Sequence, residues 1–124
     1  MKLNYDLIRE ILAISEDKTA LNKSLKVEDI ELQGYSPEEI NYHIFQMSEA
    51  GLIDINSISA DNYFEPIFIN YLTWDGHQFL ENIRDNNVWN KTKKCLSKVS
   101  SASLNVVACI AKEIVTKMIL ENIK

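Results

Sequence analysis

Apolar residues recur at helical spacing near the start of the chain. Leu3, Leu7, Ile8, Ile11, Leu12 and Ile14 follow one another at steps that gather on one side, with Asn4 placed as an N-cap, so the pattern predicts an amphipathic helix at about 5–16. Glu16-Asp17-Lys18 closes it, and 17–24 reads as a polar loop. Leu25, Val27, Ile30 and Leu32 alternate with charged residues in a pattern that is half strand and half short helix, and an extended segment is expected. Gly34-Tyr35-Ser36-Pro37-Glu38-Glu39 is a capping box with proline at the first helical position, and it opens a second helix at about 36–50. Ile40, Ile44 and Met47 mark the core face, and Gly51 suits the left-handed position that ends the helix.

Beyond Gly51 the period changes from helical to alternating. Leu52 to Ile58 and Pro66 to Leu72 read as two strands joined by a long polar connection, Ser59 to Glu65. Thr73 can cap a following helix through Phe79, Leu80 and Ile83; Asn86-Asn87 breaks it, and helical character resumes with Val88, Trp89 and Leu96 to about 98. Val99 to Ser103 is a small-residue linker, and Ser103 caps a last helix ending near 122. That helix is apolar at Leu104, Val106, Val107, Ile110, Ala111, Ile114, Val115, Met118, Ile119 and Ile123, a stripe wider than one packing contact uses. Its second surface is covered either by a groove in its own domain or by a second copy, which would make a homodimer. The fold class expected is mainly α with a small antiparallel β-hairpin.

The order of these elements, with the turns Gly51-Leu52-Ile53 and Leu72-Thr73-Trp74-Asp75-Gly76-His77-Gln78-Phe79-Leu80, resembles a winged helix-turn-helix domain of the kind found in bacterial regulators. More narrowly, Gly34-Tyr35-Ser36 to Tyr42-His43, Glu49-Ala50-Gly51-Leu52-Ile53, Leu72 to His77 and Arg84-Asp85 to Val88-Trp89 resemble a small uncharacterised family of bacterial and prophage-borne proteins. The resemblance covers nearly the whole chain. It implies a winged-helix-like domain over 1–99, its wing at about 53–72, followed by a C-terminal helix over 100–124; it implies no settled activity.

In that register 36–50 is the recognition helix, and Glu38, Asn41, Tyr42, Phe45, Gln46 and Glu49 lie away from the core face. Asn41 and Gln46 have the amide chemistry to read an adenine edge, and Tyr42 can reach a phosphate. Tyr42 and Phe45 form either a protein-binding patch or a surface covered by the C-terminal helix.

Composition bears on which partner. The 124 residues are 46% apolar with a net charge of −5, enough for a core and too acidic for general binding of nucleic acid or anionic membrane. Charge is unevenly spread: 27–83 holds 11 acidic residues and no Lys or Arg, whereas 84–124 holds 8 basic and 3 acidic residues. The helix and wing that would meet DNA therefore carry no cation for phosphate neutralisation. Lys91, Lys93, Lys94 and Lys98 gather beyond the wing, as a phosphate-tracking helix or a solvated face that complements a helix dipole.

Motifs for phosphate binding or hydrolysis are absent from the sequence, and His43, His77, Cys95 and Cys109 show no short ligand spacing, so no enzyme, cofactor or metal is expected. His43, His77, Trp74 and Trp89 read as structural, Cys109 as a small core residue and Cys95 as semi-buried. Charges at Asp6, Arg9 and Glu10 interrupt any signal-peptide apolar run, and two unpaired cysteines fit a reducing compartment, so the expectation is cytoplasmic. The function expected is a non-enzymatic binding module of a mobile element or prophage, with DNA as one candidate partner. The alternative is a protein adaptor using the acidic centre.

Overall fold

A computed structural model describes residues 1–99 and 102–123, with backbone alone at Ile123. Asn4 accepts a hydrogen bond from the Leu7 N–H at 3.1 Å and starts α1, Tyr5–Lys18. This helix ends two residues later than its apolar pattern predicts. Its stop is Thr19, whose N–H and hydroxyl both donate to the Ser15 carbonyl, at 3.0 and 2.7 Å. A reciprocal pair between Ala20 and Lys23 then turns the chain into β1, Leu25–Lys26, which passes directly into a 3₁₀ turn at Val27–Asp29. The extended segment expected here is thus confined to two residues, and the helical part of the mixed pattern takes over at Val27.

Ser36 accepts from the Glu39 N–H at 3.1 Å and caps α2, Pro37–Glu49. Gly51, at φ +76°, ends this helix with the paired bonds of a Schellman turn: its own N–H donates to the Ser48 carbonyl and the Leu52 N–H to the Met47 carbonyl, each at 3.0 Å. Ile40, Ile44 and Met47 are buried, as their spacing predicts.

The hairpin differs from its expected form. β2, Ile53–Ala60, and β3, Tyr63–Leu72, pair antiparallel as far as Ala60 opposite Tyr63, so the connection is the two residues Asp61 and Asn62 rather than the seven-residue stretch 59–65. Asn62 adopts φ +58°, a left-handed conformation that asparagine tolerates better than most residues. Polar composition made 59–65 look like a loop, yet in an exposed hairpin tip cross-strand backbone bonds form regardless of polarity. The strands lie in the order β1-β3-β2, a three-stranded antiparallel sheet. Ile67 and Asn70 of β3 have no partner on β2, and the first of these irregularities lies beside Pro66, which has no N–H to give to a ladder. The bulged Asn70 side chain ties the sheet together laterally: its amide donates to Asp54 at 2.9 Å and Asn56 at 3.0 Å, while its oxygen accepts from the Ser24 hydroxyl at 2.8 Å.

The chain divides into two compact units, Met1–His77 and Gln78–Lys124. The expected boundary after 99 falls within the second, and Ser100 and Ser101 of the expected linker lie outside the described residues. In the first unit α1 packs on α2 and β3, burying Leu7, Ile8, Ile11 and Leu12 with Ile44, Met47 and Ile69. Helix α3, Trp74–Ile83, begins in that unit and runs into the second, where α4, Asn86–Leu96, packs on α5, Leu104–Ile123. The break between α3 and α4 lies at Arg84-Asp85, before Asn86-Asn87, because Asp85 accepts from the Val88 N–H at 3.0 Å and caps the second helix. Ser103 likewise accepts from Val106, at 3.3 Å.

Trp89 is 2% exposed and anchors the second unit. Trp74 is 77% exposed and anchors nothing; its first-turn position on α3 turns it to solvent. Both cysteines are exposed and unpaired, so neither has the buried place expected of it. Around α5, Val107 and Ala111 are buried and Val106, Ile119 and Leu120 remain exposed. Among the described residues, no helix is long and apolar enough to cross a membrane.

Candidate interaction face

Three sequence motifs lock together to hold the hairpin against α2. The Leu52 carbonyl, released by the turn at Gly51, accepts from the Thr73 N–H at 3.1 Å. The Thr73 hydroxyl donates to the Gly51 carbonyl and accepts from the Gly76 N–H at 3.0 Å, capping α3. Gly76 passes so close that a Cβ built on it would lie 2.0 Å from the Leu52 oxygen. Glycine in the Leu-Thr-x-x-Gly motif is therefore a packing requirement, and it places both ends of the hairpin at the C-terminus of α2.

Midway along α2, His43, which is fully buried, ties the helix to the start of α1. Its Nε2 accepts from the Asn4 N–H at 2.8 Å, which leaves Nδ1 as the donor to the Glu39 carbonyl, also at 2.8 Å. Both ring nitrogens serve the packing of two helices, the structural role expected. His77 is half-exposed, with Nδ1 3.8 Å from the Glu16 carboxylate. Among the described residues no group of three or more histidines, cysteines and acids is arranged to hold a metal.

Between the open side of α2 and the hairpin lies a groove of about 520 Å³, lined by Glu38, Asn41, Tyr42 and Phe45 from the helix and Tyr63, Phe64 and Glu65 from β3. Phe45 meets Phe64 edge to face, centroids 4.8 Å apart with an interplanar angle of 64°. Phe64 of the hairpin is thus the ring set against Phe45. The Tyr63 hydroxyl donates to Glu65 at 2.9 Å, and that bond and charge hold the phenol proton more tightly than in free tyrosine. Gln46, half-buried on the same helix, lies outside the groove lining.

Three of the four helix residues singled out in sequence therefore come together, and three hairpin residues join them. Tyr63, Phe64 and Glu65 escape sequence reasoning because they sit in the stretch read as a connection; the Asp61-Asn62 pair, able to form a two-residue turn, was the signal for them. A second groove of about 310 Å³ adjoins the first, sharing Asn41 and Glu65, and is walled by Val27, Ile30, Pro37, Ile40 and Ile67. Lys26 at its rim is paired with Glu28 at 2.8 Å.

Lys91, Lys93, Lys94 and Lys98 are all exposed, but they do not act as one group. Lys91, Lys94 and Lys98 line a groove between α4 and α5 with Lys117, which spacing on α4 alone could not reveal. Lys93 turns to the Trp89 ring, its Nζ 6.0 Å from the centroid.

Residues 2–103 match the family model described as "Hypothetical protein (DUF2513)". An uncharacterised protein of Haemophilus influenzae is 34% identical over 120 residues, which cover 96% of this chain and 99% of that protein. No solved structure matches the chain. A family model spanning most of the chain and a relative aligned over almost all of both sequences lead to one conclusion: the chain belongs to the DUF2513 family.

Proposed function

We propose that residues 1–77 form a winged-helix-type binding module without catalytic activity, and that its partner is a protein with a basic surface. The observation that carries this reading is the makeup of the face between α2 and the hairpin: aromatic rings, the carboxylates of Glu38 and Glu65, and no Lys or Arg anywhere from 27 to 83. A face of this charge repels a phosphate backbone and attracts cationic protein surface. The resemblance of its motifs to prophage-borne proteins supports a regulatory role in a bacterial mobile element, within the cytoplasm. The apolar residues left open on α5 support a homodimer through that helix.

DNA binding is the second reading, favoured by one observation, the groove that Lys91, Lys94, Lys98 and Lys117 surround. The two are separated by capture from lysate of the source cells with the full chain, beside a Glu38→Lys/Glu49→Lys variant, and by titration with duplex DNA at about 50 mM salt, where phosphate contacts are strongest. The expected result is a partner held by the native chain, released by salt and lost from the variant, with no saturable DNA binding at tens of micromolar. Identical capture by both chains, or no capture, overturns the adaptor reading; saturable DNA binding establishes the second one.

A further inference from the structure

The geometry points to a specific occupant of the α2–hairpin groove: an arginine side chain from an extended segment of the partner protein, with a bulky apolar residue of the same segment seated in the adjoining groove. This deepens the adaptor reading and rests on it. Tyr42, Phe45, Tyr63 and Phe64 bring four rings into one groove, and Glu38 and Glu65 add carboxylates to its walls. Ring faces carry negative electrostatic potential and attract a cation, most strongly where water is partly excluded. A planar guanidinium suits this set better than an ammonium because it can stack on a ring while its N–H fork meets a carboxylate. Among the described residues no basic side chain lines the groove, so the cation is assigned to the partner.

The groove is also held in shape before any ligand arrives. Phe45 and Phe64 fix one another edge to face, and Tyr63 is tethered to Glu65. Pre-set rings lose little freedom on binding, which favours affinity from a small contact. The second groove continues the first through Asn41 and Glu65 and offers Val27, Ile30, Pro37, Ile40 and Ile67. In an extended segment, residues two apart face the same way about 7 Å from each other. One segment can therefore place a basic and an apolar side chain in neighbouring sites.

The test is an NMR titration of the full chain with N-acetyl-arginine amide, using N-acetyl-citrulline amide as its neutral isostere. The ring resonances of Tyr42, Phe45, Tyr63 and Phe64 should shift saturably with the arginine compound and not with citrulline. A Glu38→Gln/Glu65→Gln variant should bind about ten-fold more weakly, in line with the strength of charge-assisted hydrogen bonds, and Phe64→Leu about three-fold more weakly, in line with an exposed cation–π contact. Ring shifts absent at about 50 mM ligand, a low-affinity ceiling for so small a compound, or equal shifts with citrulline, would overturn the arginine site. If the titration fails while partner capture still depends on Glu38 and Glu49, the adaptor reading stands and this inference falls; if both fail, both fall.

Discussion

Single residues here carry consequences that opposite environments make measurable. Ser15 is fully buried on α1, and its hydroxyl has no hydrogen-bond partner among the described residues, although its backbone carbonyl has two. Burying an unpaired hydroxyl opposes folding, so Ser15→Ala should leave stability unchanged or raise it by up to about 1 kcal/mol. Urea unfolding would show the sign, and a clear loss would contradict the assigned geometry. The two tryptophans form a second contrast. Trp89→Ala should cost about 3–5 kcal/mol, the usual penalty for an emptied aromatic site, whereas Trp74→Ala should stay within about 0.5 kcal/mol, as for other exposed positions. Thermal denaturation of the two variants separates them directly.

Tyrosine protonation links residues to pH. Burial holds the Tyr5 proton above the usual 10.0, and Tyr35 is raised by burial first and then by the carboxylates of Glu10, Asp6 and Glu39. The folded state favours the neutral phenol in both. Their contribution is therefore complete below pH 10 and is lost as pH rises through the folded values. The urea midpoint should fall between about pH 9 and about pH 11, and less steeply in Tyr35→Phe, because that variant has one fewer phenol to ionise.

At the scale of elements, the strongest dependence lies where Gly76 crosses the Leu52 carbonyl. A methyl group there would meet backbone oxygen at 2.0 Å, and backbone cannot rotate aside. Gly76→Ala should thus destabilise by about 2–3 kcal/mol, the upper range for overpacking, and loosen the hairpin together with the start of α3. Hydrogen exchange of the Thr73 amide, bonded to that same carbonyl, is the local measure.

Several element boundaries were legible from one residue's chemistry. Asn4 and Ser36 cap their helices because their side chains accept from amides three residues on, and Gly51 ends α2 because the left-handed turn there suits a residue without Cβ. The hairpin tip was not legible in this way. Ser59 to Glu65 is polar in composition, and cross-strand pairing in solvent leaves no hydrophobic mark. The break after α3 was displaced for a related reason: two asparagines suggest a turn, yet Asp85 just before them makes the stronger cap.

For the whole molecule, the division of charge matters more than its total. The acidic stretch 27–83 includes α2 and the hairpin, while the lysine-lined groove belongs to α4 and α5. The two chemistries thus reside in elements that can be varied separately. Exposed Val106, Ile119 and Leu120 give α5 apolar surface on more than one side, consistent with its apolar residues being spread around the helix. The 124-residue chain should sediment as a dimer, and Ile119→Lys/Leu120→Lys as a monomer with an unchanged circular dichroism spectrum. A monomeric native chain would remove the proposed homodimer.

Local order and local chemistry decided the helices, the caps at Asn4, Ser36, Thr73 and Ser103, the presence of two strands after Gly51 and the acidic character of the middle of the chain. Each depends on residues within a few positions of one another, so periodicity and capping chemistry suffice to find it. The aromatic groove is different: Phe45 and Phe64 are nineteen positions apart, and only the fold back of β3 along α2 makes them a pair. The same holds for Lys117 joining Lys91, Lys94 and Lys98, and for the reason that residue 76 must be glycine. These features exist through side chains meeting across elements, and that meeting is set by packing rather than by spacing along the chain.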